Sequence, residues 1–287
     1  SKKVGLLLLL LSVFSPGSHA QAPADIELNK DLIGFYPFNG TTRDWSGNGN
    51  DLTSSKEENV FGFDRNVQPN KSALLDDGNL SLKNTNNFLT GNSDFTISIW
   101  ARLSDSNKQD SLKILFASDT INGFELSLSN WTKGKPVPEF YIGGRLVFGA
   151  ALGSNELGMP LDYWHHFVLI RENGKILLLL NNKPTTEGIA NLPINGKGFF
   201  FGGRERKGEG EKTSHSWTGG LDDIRIYRRA LSGPELSALH ELEKPLDEDG
   251  DALTNWDEVY IHKTDPERAD TDEDWLSDGM ELNVLNT

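Results

Sequence analysis

Gly219-Gly220-Leu221-Asp222-Asp223-Ile224-Arg225-Ile226-Tyr227 is the stretch from which the rest of this chain can be read. With the two-residue period of an extended strand, Ile224 and Ile226 share a face with Asp222, and Asp223, Arg225 and Tyr227 take the other. The spacing predicts a strand that starts with a carboxylate on its apolar side. Such a carboxylate is costly unless paired, hydrogen-bonded or bound to a cation, so Asp222 is expected at the rim of a core beside an oxygen-rich loop. The segment from Asp44 to Asp51, packed with Asn, Asp, Ser and Gly, is the candidate loop.

Working outward, Phe95 to Leu103 alternates apolar odd and mostly polar even positions, the pattern of a half-buried antiparallel strand. Trp164–Arg171 and Lys175–Asn181 flank Asn173-Gly174, the dipeptide that most favours a two-residue hairpin turn. Leu177 to Leu180 is apolar on both faces, which predicts a central strand. Further short strands are expected at 113–117, 124–128, 139–142, 145–148 and 198–203, with a first strand at 32–39 and weak pieces between 54 and 94. Pro234 to Leu239 predicts one short helical turn. Regular short strands separated by turn residues mean an all-β fold, a two-sheet antiparallel sandwich.

Several of these pieces stand in an order that resembles a known family. The closing strand followed by Arg229-Ala230-Leu231-Ser232, the opening Leu32-Ile33-Gly34-Phe35-Tyr36-Pro37-Phe38, the loop Asp44-Trp45-Ser46-Gly47-Asn48-Gly49-Asn50 and the strand Phe95-Thr96-Ile97-Ser98-Ile99-Trp100 are similar to those of LamG-like domains. These are jelly rolls of the concanavalin A-like lectin/glucanase superfamily. The resemblance covers about residues 28 to 240 and implies a sandwich whose first and last strands are neighbours. It also implies, for some members, a calcium site joining those strands, here Asp44, Asn48, Asn50 and Asp222. The other reading of these residues is an Asp-capped turn, with Asp222 bonded to backbone amides.

At 287 residues the chain can bury a sandwich core and still carry a second module. Lys2-Lys3, the apolar run Val4–Val13 and Ser18-His19-Ala20 read as a secretory signal peptide, residues 1–20, with cleavage expected after Ala20. The expected organisation is then the jelly roll over 21–244 and an acidic module over 245–287, in a secreted, extracellular or cell-surface protein. No apolar run is long enough for a comfortable membrane span. With no cysteine, disulfides and thiolate chemistry are excluded. Residues 245–287 hold fourteen acidic side chains against Lys263 and Arg268, and so most of the formal charge of −14. Nucleic acid is a poor partner for such a surface and multivalent cations are good ones.

The acidic module repeats itself. Asp247, Asp249, Asp251, Leu253, Asn255 and Glu258 occupy positions 1, 3, 5, 7, 9 and 12 of a twelve-residue loop, and Asp270, Asp272, Asp274, Leu276, Asp278 and Glu281 repeat the spacing 23 residues later. Calcium takes six to eight hard oxygens at roughly 2.3–2.6 Å, including a backbone carbonyl and often a two-oxygen glutamate, and alternate aspartates on a curling loop supply that shell. The loops resemble thrombospondin type 3 calcium repeats, which implies bound Ca2+. They depart from them at position 6, where Ala252 and Trp275 replace the usual glycine at a turn that disfavours bulky side chains.

Other candidates are weaker. His165 and His166 are adjacent on a strand, point to opposite faces and read as structural. Trp45, Trp100, Trp131, Tyr141 and Trp217 could stack on sugar rings, although most are expected to pack internally. The mixed-charge segment from Arg204 to Lys212 reads as solvated. The Glu-x-Asp-x-x-Glu string of glycan hydrolases that share the fold does not occur, nor do hydrolase elbows, zinc-protease motifs or phosphate loops. The reading is therefore a non-enzymatic, calcium-dependent recognition module for polysaccharide or glycoprotein, its ligand-binding residues unassigned. The competing reading is a structural or adhesive spacer.

Overall fold

The computed structural model describes residues 27–56, 60–82, 89–104, 112–118, 123–132, 135–149, 159–195, 198–204 and 215–282. The expected signal peptide and most of the 204–212 segment lie outside them. Among these residues two antiparallel sheets pack face to face. The first runs β14 (Lys183–Ile189), β13 (Lys175–Leu180), β12 (Trp164–Glu172), β7 (Phe95–Leu103), β17 (Thr218–Tyr227), β4 (Ser72–Asp76), β3 (Val60–Gly62), with β1 (Leu32–Tyr36) also paired to β17. The second runs β11 (Arg145–Phe148), β10 (Lys135–Ile142), β9 (Phe124–Thr132), β8 (Lys113–Ser118), β16 (Phe199–Phe201), β5 (Leu80–Leu82), β2 (Thr53–Ser54). A two-stranded ribbon joins β6 (Thr90–Gly91) to β15 (Ile194–Asn195). The first and last strands are neighbours, Leu32 opposite Tyr227 and Tyr36 opposite Ile224.

The alternation in β7 works as its sequence dictates. Phe95, Ile97, Ile99, Ala101 and Leu103 enter the core between the sheets, while Ser98 and Trp100 lie on the outer face opposite Val168 and His166 of β12. The turn at Asn173-Gly174 takes positive φ at both residues, 49° and 78°, as a two-residue turn matched to strand twist requires. Leu178 of β13 faces the core and Leu179 the outer surface, so the doubly apolar run is covered on both sides. β14, at the edge beyond it, has no counterpart in the sequence reading.

The closing strand differs from its strict two-residue reading. Asp222 pairs with Trp100 and Arg225 with Ser98, three residues of β17 against two of β7, and Asp223 takes φ 39°. This is a β-bulge, and it shifts the side-chain alternation by one. Leu221, Ile224 and Ile226 all enter the inter-sheet core. Asp222 thus faces the outer surface of the first sheet with Arg225 and Tyr227, not the face of Ile224 and Ile226. The bulge falls where β17 exchanges partners on one edge, β4 along 218–221 and β1 along 224–227.

The helical segment after the closing strand is longer than one turn: α1 spans Gly233–Glu243. Its start is fastened by Glu235, which accepts from the Ser232 amide and hydroxyl and takes a two-pronged contact from Arg229 at 2.7 and 2.9 Å. Leu236 and Leu239 then pack on the outer face of the first sheet against Leu32, Val168, Ile170, Leu179 and Tyr227. Each buried leucine contributes about 1.5–3 kcal/mol of transfer free energy.

Candidate functional site

The two acidic loops share most of their hydrogen bonds, position for position. In the first, the Asp247 carboxylate accepts the amides of Gly250 and Ala252, Asp249 accepts that of Asp251, and Asp251 accepts that of Leu253. In the second, Asp270 accepts Glu273 and Trp275, Asp272 accepts Asp274, and Asp274 accepts Leu276. Position 9 is matched as well: Asn255 accepts the Glu248 amide, and Asp278 accepts that of Thr271. These bonds curl each loop around its first carboxylate and bring three carboxylate oxygens within 4.8 Å of one another, Asp247/Asp249/Asp251 and Asp270/Asp272/Asp274. Ala252 and Trp275 take the left-handed turn despite their side chains, at φ 78° and 83°, and Trp275 projects almost fully into solvent.

The loops are not independent of each other. The Gly279 amide donates to the Asp251 carboxylate at 2.6 Å, and a Cβ on Gly279 would lie 2.0 Å from the Asp251 carbonyl oxygen, so only glycine permits the approach. Asp278, nearly fully buried beside it, also accepts the Thr271 hydroxyl. Glu258 is fully buried, and its Oε2 has no hydrogen-bond partner, as is also true of Asp249 Oδ2. Burial, and after it the Asp249 and Asp251 charges, push the Glu258 carboxyl up to about 7. The other Glu258 oxygen accepts, among the described residues, only the Thr264 hydroxyl, at 3.4 Å. A buried, under-bonded carboxylate near other carboxylates is a configuration that a cation stabilises. Carboxylates of Asp247, Asp249 and Asp251, the Leu253 carbonyl and two Glu258 oxygens make six hard donors, the lower end of a calcium shell. Asp oxygens that already accept an amide retain a second lone pair. Asn255 and Asp278 are engaged as braces of their own loops, and Glu281 follows the short helix α2 (Asp278–Met280) at the end of the second.

Directly after the first loop, a π-helical turn at Asp257–His262 carries the module onto the sandwich. Trp256 is buried against Trp164, with Tyr260 stacked on it at 4.1 Å, and its indole N–H donates to the Asp162 carbonyl. Arg102 lies over the Trp256 ring at 4.8 Å. The sequence reading had no role for this tryptophan. An indole inside an acidic loop was the available signal.

The candidate site on the sandwich falls into two parts with separate partners. Asp44 accepts the amides of Phe35, Ser46 and Asn50 and the Ser46 hydroxyl, and its carboxyl is held below the ordinary range by these bonds against the opposing effect of burial. Asn48 and Asn50 donate to the Leu32 and Ile33 carbonyls, and Asp51 accepts the Asp44 amide. This is an Asp-centred turn that ties the loop to β1. Asp222, turned outward by the bulge, instead meets Arg65 at 2.5 Å and accepts the Asp223 amide. Burial, then Asp223, raise its carboxyl well above the ordinary range, while Arg65 opposes them.

Arg65 centres a buried polar cluster beneath α1. It also pairs with Asp223, donates to the Glu243 carbonyl and lies over Trp100, while Arg225 holds the Glu243 carboxylate at 2.5 Å. His166 bonds Ser98 at 2.7 Å and meets His240 at 3.3 Å, and burial keeps it well below its ordinary pKa, so it is neutral. His165 bonds the Pro160 carbonyl on the opposite face. Among the aromatic candidates, Trp100 and Trp217 are buried, Trp45 is exposed, and the Trp131 side chain lies outside what the structure describes. Tyr141 sits on the outer face of the second sheet, opposite Glu125, with its hydroxyl donating to Glu139.

A two-sheet sandwich with β1 beside the closing strand, and with its outer surfaces carrying loops and polar side chains, defines the class of lectin-like jelly rolls. The sequence profile of the concanavalin A-like lectin/glucanases superfamily matches residues 75–237, and the chain belongs to that family. No curated protein matches. Among solved structures it is similar to domain 4 of AbnA, an extracellular arabinanase from Geobacillus stearothermophilus, in complex with arabinotriose, at 18% identity over 73% of this chain and 98% of that one, TM-score 0.52. It is also similar to the binding domain of Paraclostridial Mosquitocidal Protein 1, at 21% identity over 75% and 52%, TM-score 0.56. A third likeness is to botulinum neurotoxin type C, which enters cells dependent on interaction with two ganglioside molecules, at 14% identity over 76% and 53%, TM-score 0.56. The chain spans about half the length of the toxin chains it matches. At these identities the likeness establishes the fold.

Proposed function

We propose that this chain is an exported, non-catalytic recognition module that binds calcium in its C-terminal loops, in the manner of thrombospondin type 3 repeats, and carbohydrate or glycoprotein through its sandwich. The observation that carries the calcium reading is the pair of similarly bonded aspartate loops, with the buried Glu258 carboxylate, one oxygen of which has no hydrogen-bond partner, close to the first. Calcium would be held there by Asp247, Asp249, Asp251, the Leu253 carbonyl and Glu258, and in the second loop by Asp270, Asp272, Asp274, the Leu276 carbonyl and Glu281. Bound calcium supplies the positive charge that lets these carboxylates stay together. Carbohydrate recognition is supported by the family and by the relatives described with arabinotriose and gangliosides. No helix among the described residues is long and apolar enough to cross a membrane. The adhesive reading is favoured by one observation, the packing of Trp256 on the sandwich, because a cation in the first loop would stiffen that junction.

Calorimetric calcium titration tests the first part. The chain should bind calcium saturably, and Glu258→Gln and Asp270→Ala should each weaken one of two sites by about tenfold or more, the worth of a charged ligand. Equal affinity in both variants would remove the ligand assignment. A polysaccharide and glycan panel, run in calcium and in chelator, tests the second. The absence of binding by folded protein would leave the adhesive role.

A further inference from the structure

At the end of the sandwich that carries the Asn173-Gly174 turn lies a cavity of about 450 Å³ lined by Asn92, Ser93, Asp94, Arg171, Asn173 and Asn191. Its volume is within the range of small-ligand sites, about 300–1,000 Å³. It is separate from the acidic loops, from the Asp44 turn and from the cluster under α1.

Arg171 is what builds it. On β12, the guanidinium is fully buried, yet its bonds go to neutral oxygens: the Gly91 carbonyl at 3.1 Å, the Ala190 and Leu192 carbonyls at 3.1 and 3.0 Å, and the Asn92 side chain at 3.3 Å. Its Nε has no partner. The Asp94 carboxylate, though not bonded to it, offsets part of the charge of this buried guanidinium. The bonds draw two loops, 91–92 and 190–192, around the hairpin turn and orient the amide of Asn92. Asp94 accepts the Asn173 amide with one oxygen, at 2.8 Å. Gly174 lets Asn191 close over the turn, since a Cβ there would stand 2.3 Å from the Asn191 side-chain oxygen.

The donor set selects the ligand. Three carboxamides, a hydroxyl and a carboxylate oxygen match the mixed donor and acceptor pattern of adjacent sugar hydroxyls, and a carboxylate accepts from two at once. The lining holds no aromatic ring, so the ligand is gripped by its edges. Asp94 and Arg171 offset one another's charge and Arg171 is buried, so the lining is close to neutral overall and presents no exposed cation to an acidic sugar. We infer that this cavity is a binding site for one neutral monosaccharide unit of a glycan. The inference rests on the recognition reading above and gives that reading an address.

The test is saturation-transfer NMR and calorimetry on the full chain with free galactose, glucose, mannose and arabinose, and with sialic and glucuronic acids. Wild type, Asp94→Asn and Asn191→Ala are compared, with thermal melting of each. Asp94→Asn keeps an acceptor for the Asn173 amide, and Asn191→Ala leaves the hairpin bonds untouched. A neutral sugar should bind the wild type, and each variant should lose about tenfold or more in affinity at unchanged melting temperature. Wild-type binding that either variant retains overturns the cavity while the recognition reading stands. Preference for an acidic sugar overturns the ligand class, and a wild type that binds no free sugar overturns the cavity, the polysaccharide and glycan panel alone deciding the recognition reading.

Discussion

Glu235 shows how one side chain can carry the junction between a closing strand and its helix. The fork from Arg229, with help from Ser232, holds its carboxyl down at about 2, against an ordinary value near 4.5. A folded-state value below the unfolded one means stability that is present above about pH 4.5 and is lost as pH falls through about 2. Allowing for partial solvent screening, the contribution is on the order of 1–2 kcal/mol. Glu235→Gln should therefore lower stability by about that amount at pH 7 and much less at pH 2. Urea unfolding at the two pH values decides it, and an equal deficit at both would show that packing, not charge, is at stake. The same residue explains why Arg229-Ala230-Leu231-Ser232 follows the strand: the arginine and serine are the two partners of that carboxylate.

The bulge in β17 is the element on which the outer face of the first sheet depends. By turning Asp222 outward it gives Arg65 a buried partner, and through Arg65 it reaches the last turn of α1 at Glu243. Removing one member of a buried ion pair costs about 3–5 kcal/mol when the other is left uncompensated. Arg65 keeps Asp223 at 2.6 Å, so the loss of Asp222 should cost less than that. Asp222→Ala should lower the melting temperature, and Arg65→Met should lower it further, because Arg65 also serves Asp223 and the Glu243 carbonyl. A single variant as stable as wild type would mean the pair does not hold the strand and helix together. The period-two reading missed this face because a one-residue insertion leaves no mark on the inserted strand itself; it is visible only against the register of β7.

Across the whole molecule, the acidic module and the sandwich share an interface. The sequence suggests a tail whose carboxylates can be altered without touching sandwich stability. Trp256, buried between Trp164, Arg102 and Tyr260, makes the two dependent on each other. Truncating a buried aromatic costs about 3–5 kcal/mol, so Trp256→Ala should lower the melting of the sandwich as well as of the module. Calcium that orders the first loop should raise that melting through the same anchor, and chelation should change indole fluorescence. Calorimetric scans in calcium and chelator that coincide for wild type would show the anchor and the loop to be uncoupled.

What the sequence determined by itself is what short-range physics controls. The alternation of β7 and the turn at Asn173-Gly174 depend on neighbours within a dozen positions, and each is found where its pattern put it. The aspartate spacing that repeats after 23 residues is equally local, and it gathers three carboxylates in each loop. The tertiary structure decided the rest, because it concerns partners far apart in the chain. Arg65 reaches Asp222 across 157 positions and Trp256 reaches the Asp162 carbonyl across 94, and nothing local to either residue marks its partner. For the same reason Asp44 and Asp222, both oxygen-bearing and both near the paired first and last strands, belong to different networks. The register shift at Asp223 settles which face the second carboxylate takes, and only the packed sheets impose that shift.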